Sequence, residues 1–303
     1  MNALRTVLIA VALALLGPAM FAWADYADEL AAWRKRAEDS LRSDLGWLTI
    51  AGRWELGKGD NTLGSAPGND VVLPKELSPP HLGRIRVGAD GVKLMLAPGV
   101  RMWLEPRPGQ RGADFSERKL ETDDYGEEWV SMGRLSLTVY TPDNGKTILR
   151  IADRESPNRK RFAGRIWYPA NGAVRVPAQF VAYPAGTKIP IANVRGEITD
   201  EDVAGYVEFE LLGRKTRLDA LREDDGTLFL IIRDATSGVT TYPAARFIHA
   251  DAPVNGRTIV DFNKAYNPPC AFSAYTTCPL PPPQNWLRVA VEAGEKYAAP
   301  RDH

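Results

Sequence analysis

Beyond its first two dozen residues, almost every apolar run in this 303-residue chain meets a glycine or a proline within about ten residues. Long helices do not tolerate that rhythm, because proline removes a backbone donor and glycine weakens a helix interior. Short strands joined by tight turns do. The 26 glycines and 23 prolines therefore argue for a mainly β chain, long enough to bury a core without the help of a metal.

The exception to the rhythm comes early. Residues 26–42 place Leu30, Trp33, Ala37 and Leu41 at helical spacing, with Glu29, Arg34, Arg36 and Glu38 elsewhere around the turn. This predicts one amphipathic helix, within 25–44, lying on the domain that follows it. Short strands come next at 53–56, 71–73, 84–87, 92–96, 129–132 and 135–140, with Asp90-Gly91 and Asp143-Asn144-Gly145 as hairpin turns. They predict a β-sandwich over 45–145. A second series begins at 147–151 and runs through 174–183, 188–191, 196–199, 205–211, 214–218, 227–233 and 246–248, ending in an apolar strand at 287–291. It predicts a barrel-like domain over 146–303. Asp153 to Arg161 interrupts it as a charged, solvated loop or short helix, with an anion site as the alternative.

The first 24 residues carry Arg5, an apolar run from Val7 to Leu16 and Ala22-Trp23-Ala24, the pattern of a secretory signal cleaved after Ala24. Gly17-Pro18 ends the run too soon for a comfortable span, which argues against a retained membrane anchor. Periplasmic or secreted placement follows. Lys plus Arg and Asp plus Glu balance at 38 each, so no net field draws the chain to nucleic acid.

Residues 261–285 hold both cysteines of the chain, six prolines and four Asn or Gln side chains. That composition excludes a helix and a central strand, leaving a rigid loop whose polar groups must be satisfied one by one. In an oxidising compartment Cys270 and Cys278 read as a disulfide. A metal site is the weaker alternative, since the three histidines, His81, His249 and His303, lie far from the cysteines in sequence. A redox pair would prefer two intervening residues to the seven present.

Catalytic motifs are thin: there is no Gly-x-Ser-x-Gly, no His-Glu-x-x-His and no glycine-rich phosphate loop, so no cofactor is indicated. The polar constellation that stands out is Asp234, Tyr242, Arg246 and Asp261, candidate catalytic residues at strand ends, with Asn263, Tyr266 and Asn267 as candidate binding residues in the adjoining loop. They read either as one barrel-mouth pocket or as a structural polar network.

Residues 64–85 place Gly64, Asn69-Asp70, Ser78 and His81 at offsets that resemble the forkhead-associated domain, a phosphothreonine-binding sandwich. Ser65 and Pro79 stand where that family carries arginines, so the resemblance implies the strand-loop-strand scaffold without the ligand. The run from Asp261 to Phe272, the Cys278-Pro-Leu-Pro-Pro stretch to Asn285, Arg246-Phe247, Phe162 to Pro169, Asp234 to Tyr242 and Ala293-Gly294-Glu295-Lys296 together resemble the bacterial domain of unknown function 1684 family, which implies no activity.

The sequence thus predicts an exported, mainly β protein: a helix, a forkhead-associated-like sandwich and a barrel-like domain. As function it points to a binding or interaction module for a small molecule or an envelope protein. The alternative is a periplasmic hydrolase-like enzyme at the mouth of the C-terminal domain, and a structural envelope component is third.

Overall fold

A computed structural model describes residues 24–107, 109–123, 126, 128–142 and 145–297. The expected leader up to Trp23, Asp143-Asn144 of one expected turn and His303 lie outside them. The architecture is mainly β, with an N-terminal helix, several sheets and a curled half-barrel in the C-terminal part.

Helix α1 occupies residues 24–42, burying Tyr26, Leu30 and Leu41 on the face that the spacing predicts. It turns off at Gly46, where a Cβ would come within 2.3 Å of the Leu41 carbonyl oxygen. Only glycine lets the chain fold back that closely. Its principal seat differs from the expected one: Tyr26 donates to Asp261 at 2.8 Å and Trp33 packs edge-on against Trp167 at 5.7 Å. The helix therefore rests mainly on the C-terminal half; just after it, Asp44 pairs with Arg159, in the charged segment that follows the last sandwich strand, and Trp47 turns to the sandwich under Arg150. The apolar stripe fixes that a helix docks, not which body receives it.

Eleven strands follow among the described residues: β1 (Ile50–Glu55), β2 (Gly59–Gly64), β3 (Val71–Val72), β4 (Gly83–Gly88), β5 (Gly91–Leu96), β6 (Met102–Glu105), β7 (Asp114–Phe115), β8 (Glu117–Leu120), β9 (Trp129–Met132), β10 (Leu135–Tyr140) and β11 (Ile148–Asp153). They form a six-stranded sheet, β1-β11-β10-β9-β6-β7, and a five-stranded one, β3-β2-β4-β5-β8. Alternation explains their packing: in β4, Ile85 is buried while Arg84 and Arg86 face water. Leu63, Ile85 and Leu94 from one sheet share a core with Leu137, Leu149 and Ile151 from the other. The strand at 147–151, expected to open the second series, is β11 and belongs here. It pairs with β10 (Leu137↔Ile151) and with β1 (Arg53↔Arg150), so it completes the six-stranded sheet. Both β10 and β11 are buried on both faces. Trp47, Ile50 and Arg150 cover the side away from the core.

The charged interruption forms a short helix, α2 (Pro157–Arg161), capped by Ser156. Beyond it run β12 (Arg175–Ala182), β13 (Lys188–Ala192), β14 (Ile198–Leu211), β15 (Arg214–Arg222), β16 (Leu228–Ile232), β17 (Arg246–Ala250) and β18 (Arg257–Asp261), ordered β17-β16-β15-β14-β12-β18 with β13 on β14. The sequence reading splits β14 before Gly205. In fact Gly205 sits inside the strand at a register shift, where a Cβ would lie 2.1 Å from the Val181 carbonyl oxygen, so the glycine marks a bulge and close approach.

The sheet curls around Val207, Leu218, Leu230, Ile248 and Val260. Its open end is filled by Phe262, Leu287, Val291 and Ala293. The apolar run at 287–291, expected as a final strand, is this plug: it lies across the end of β16, with Leu287 N donating to Arg233 O at 2.7 Å, and joins no ladder. On the outer wall the proline-cysteine loop lays Cys278, Cys270 and Tyr266 over Ile191, Ile231 and Phe247. Cys270 and Cys278 form a disulfide, with Cα atoms 6.2 Å apart.

Candidate functional site

The four candidate catalytic residues separate into different duties. Asp234 and Arg246 meet at 2.6 Å with side chains 0% and 1% exposed. Asp234 also accepts from Thr236 N at 2.8 Å and from Val291 N at 3.2 Å. Arg246 donates to the carbonyls of Val291, at 3.1 Å, and Ala293. The pair is thus a latch on the plug, and the barrel mouth where a pocket could open is occupied by chain. Asp261 is spent elsewhere, accepting from Tyr26 at 2.8 Å and from Asn263 N at 3.0 Å. Tyr242 meets the Tyr297 ring edge-on at 4.9 Å, and no hydrogen bond among the described residues joins it to the ion pair.

Of the candidate binding residues, Asn263 bridges the backbone of Asn171, accepting from its N at 2.8 Å and donating to its O at 2.9 Å. Asn267 donates its backbone N to Glu295 at 2.8 Å and its side chain to Lys296 O at 3.0 Å. Tyr266 alone comes close to a surface. It lies beside β17 through an antiparallel bridge to Phe247, and its hydroxyl meets His249 Nε2 at 2.8 Å.

Around that contact the outer wall carries a ladder of rings. Strand register aligns Leu221, Phe229 and His249 on one face, so the imidazole stacks against Phe229 (4.9 Å between centroids, 22°) and Tyr266 (5.9 Å, 11°). Tyr266 continues to Trp33 of α1 at 6.3 Å, and Trp33 to Trp167. His249 is exposed at its edge, and Nδ1 makes no hydrogen bond among the described residues. Burial of the ring faces lowers the imidazole below its ordinary range, with Asp225 opposing. Two residues beyond Leu221 on the same face stands Glu223, half-buried and in no ion pair or side-chain hydrogen bond among the described residues. Burial raises its carboxyl, and the nearby Asp225 and Asp224 add to the shift. Burial likewise raises the Tyr266 hydroxyl.

Behind the ladder lies a pair that sequence reasoning missed. Arg165 and Glu295 form a buried salt bridge, and Glu295 also accepts from Asn267 N. Burial holds the Glu295 carboxyl up to about 7, against the downward pull of Arg165 and Asn267. The guanidinium of Arg165 lies over the Phe272 ring at 4.9 Å. Arg165 and Glu295 stand 130 residues apart, and no local pattern in the sequence pairs them.

Among the described residues, no group of three or more His, Cys, Asp or Glu could hold a metal ion. A groove of about 520 Å³ crosses the solvent face of the five-stranded sheet, bordered by Asn69, His81, Arg84 and Glu117.

Fold and site together define a class: a mainly β protein, one sandwich and one plugged half-barrel, with a disulfide-closed loop on the outer wall. Residues 160–296 match the family described as "Protein of unknown function (DUF1684)". That match supports assigning the chain, through its C-terminal part, to this family. A solution NMR structure of the uncharacterized protein from gene locus rrnAC0354 of Haloarcula marismortui is similar at 30% identity, over 46% of this chain and 78% of that one, with a TM-score of 0.39. No curated protein matches the chain significantly.

Proposed function

We propose that this chain is an exported binding module whose docking face is the outer wall of the half-barrel around His249 and Tyr266. The observation that carries the reading is His249, exposed and with Nδ1 making no hydrogen bond among the described residues, stacked between the rings of Phe229 and Tyr266. Elsewhere on this body buried polar groups such as Asp234, Asn263 and Asn285 are spent on backbone. Unspent donors and acceptors next to rigid rings are what a ligand or partner can use.

Export rests on the leader pattern and is consistent with the disulfide, which an oxidising compartment preserves. N-terminal sequencing of the native protein should begin at Asp25. The partner is a small molecule or an envelope protein. The division between sandwich and half-barrel falls, in this reading, after β11. The sandwich keeps a forkhead-associated-like scaffold without phosphothreonine recognition, because Ser65 N, Ser78 Oγ and the Asn69 amide all bond carbonyls of the loop from Ala66 to Pro80. A hydrolase at the barrel mouth has no geometry in its favour, since Asp234 and Arg246 hold the plug.

The test is a thermal-shift screen of small metabolites and envelope peptides against the wild-type chain and His249→Ala. At least one compound should raise the wild-type midpoint and leave the variant unmoved. Hits that stabilise both proteins equally would place binding elsewhere.

A further inference from the structure

We propose that the Cys270–Cys278 bond is a redox latch for helix α1: opening it frees the loop between the cysteines, and the C-terminal half of the helix loses its seat while both β bodies stay folded. This stands independently of the ligand reading, because it concerns only how the helix is held.

The seat of the helix is built in layers. Arg42 lies over the Phe162 ring at 4.7 Å, and Glu38 accepts from Arg165 N at 3.1 Å. One side chain of the disulfide loop touches both receiving residues, while Arg165 is held as well by its buried pair with Glu295. Phe272 meets Phe162 edge-on at 6.1 Å, and the Arg165 guanidinium covers Phe272 at 4.9 Å. Phe272 lies two residues from Cys270 in an irregular loop, joined to no ladder. Its position is set by the disulfide and by bonds local to the loop, such as Ser273 N to Pro269 O at 3.1 Å and Thr276 Oγ1 to Ser273 O at 2.9 Å.

The two cysteines are unequally held. Cys278 is buried in the outer-wall core, and its neighbours pair with the end of β13: Val194 N donates to Cys278 O at 3.0 Å and Leu280 N to Ala192 O at 2.7 Å. Cys270 is partly exposed. In the proposed opening, a dithiol reductant enters at the Cys270 sulfur, the less buried of the two. Its thiolate attacks there, the S–S bond breaks, and Cys278 leaves as the thiolate. The second thiol of the reductant then displaces Cys270, so the reductant ends as a disulfide and the protein as two thiols. After reduction residues 278–280 stay pinned to β13, whereas 271–277 lose one of their two fixed ends. The N-terminal half of α1 keeps its own anchors, Tyr26 on Asp261 and Glu29 on Lys264, which do not involve the loop. Local opening of this kind is expected where few ladder bonds hold a segment.

Amide hydrogen exchange on the full chain tests the latch, comparing the oxidised protein, the protein after dithiothreitol, and the double variant Cys270→Ser/Cys278→Ser. Amides of residues 34–42 should exchange at least tenfold faster in the latter two, with β10 and β11 unchanged and protection regained on reoxidation of the wild type. Equal protection of 34–42 in all three samples would overturn the latch. So would loss of protection throughout the molecule, which would make the bond a general staple, or failure of dithiothreitol to open it in the native state.

Discussion

The sandwich and the half-barrel both bury one face of a sheet, and they differ in what closes the core. In the sandwich, Leu63, Ile85 and Leu94 of one sheet meet Leu137, Leu149 and Ile151 of the other, while the backbone polar groups are used in ladders. In the half-barrel a single sheet curls, and irregular chain at 262–266 and 287–295 stops the open end. Irregular backbone brings N–H and C=O groups that no ladder satisfies, so side chains must meet them. Asp234 takes Val291 N, Arg246 takes the carbonyls of Val291 and Ala293, and Glu295 takes Asn267 N. A buried charge of the sandwich obeys the same rule: Glu105 accepts from Gly109 N, at 2.6 Å, in the irregular link after β6. These buried charges mark where regular structure ends, whereas Arg150, buried in the middle of β11, lies over the Tyr140 and Trp47 rings.

The largest effect that follows is on Arg246. Replacing it with alanine strands the Asp234 carboxylate in the core and frees two carbonyls of the plug, so Arg246→Ala should cost about 3–5 kcal/mol in a urea titration of the full chain. A loss below about 1 kcal/mol would mean that the plug is held by apolar contact alone, and the contrast between the two bodies would collapse.

Much of this was legible in the sequence where alternation is strong. Strand β10 is read residue for residue because its apolar and polar positions alternate, and β9 because an apolar run ends at the Gly133 turn. β2 (GDNTLG), β8 (ERKL) and β18 (RTIVD) escape, because half-exposed strands in polar sequence carry no such signal. At the site, Asp234 and Arg246 could be paired from their strand-end positions, yet the use of Asp261 on Tyr26 and of Tyr242 against Tyr297 depends on distant segments, which no local pattern encodes. Arg165 with Glu295, and His249 with Phe229 and Tyr266, are contacts across strands or between distant segments, and single-sequence periodicity is blind to both.

Glu295 sharpens the comparison through pH. Its folded carboxyl is held up to about 7, whereas unfolded it titrates near the ordinary carboxylate value of about 4.3. Between those values the native state keeps a proton that the unfolded chain has released. The contribution of Glu295 is therefore fully present below about pH 4.3 and is lost as pH rises through about 7. In Glu295→Gln the side chain stays neutral and can still accept from Asn267 N. Stability of the wild type relative to this variant should fall by about 1–3 kcal/mol between pH 5 and pH 7.5. Parallel stability curves for the two proteins across that range would assign the slope to other groups.

The smallest effect belongs to the sandwich surface. Arg86 and Asp60 face each other across β2 and β4 and make two contacts, at 2.6 and 2.8 Å, as good a fork as the molecule's buried pairs offer. Yet both side chains stand in water on the solvent face of a sheet whose backbone is already satisfied by its ladder. Water and salt screen the attraction, and holding two long side chains in one geometry costs entropy. Arg84 also reaches the same carboxylate, at 3.6 Å, so Asp60 keeps a partner when Arg86 is removed. Arg86→Ala should therefore leave the thermal midpoint unchanged at physiological salt, although its geometry is as close as that of Arg246 with Asp234. If the two alanine variants were destabilised alike, distance alone would set the worth of an ion pair here. If only Arg246→Ala falls, the decisive factor is the irregular, ladderless backbone that its charge has to hold.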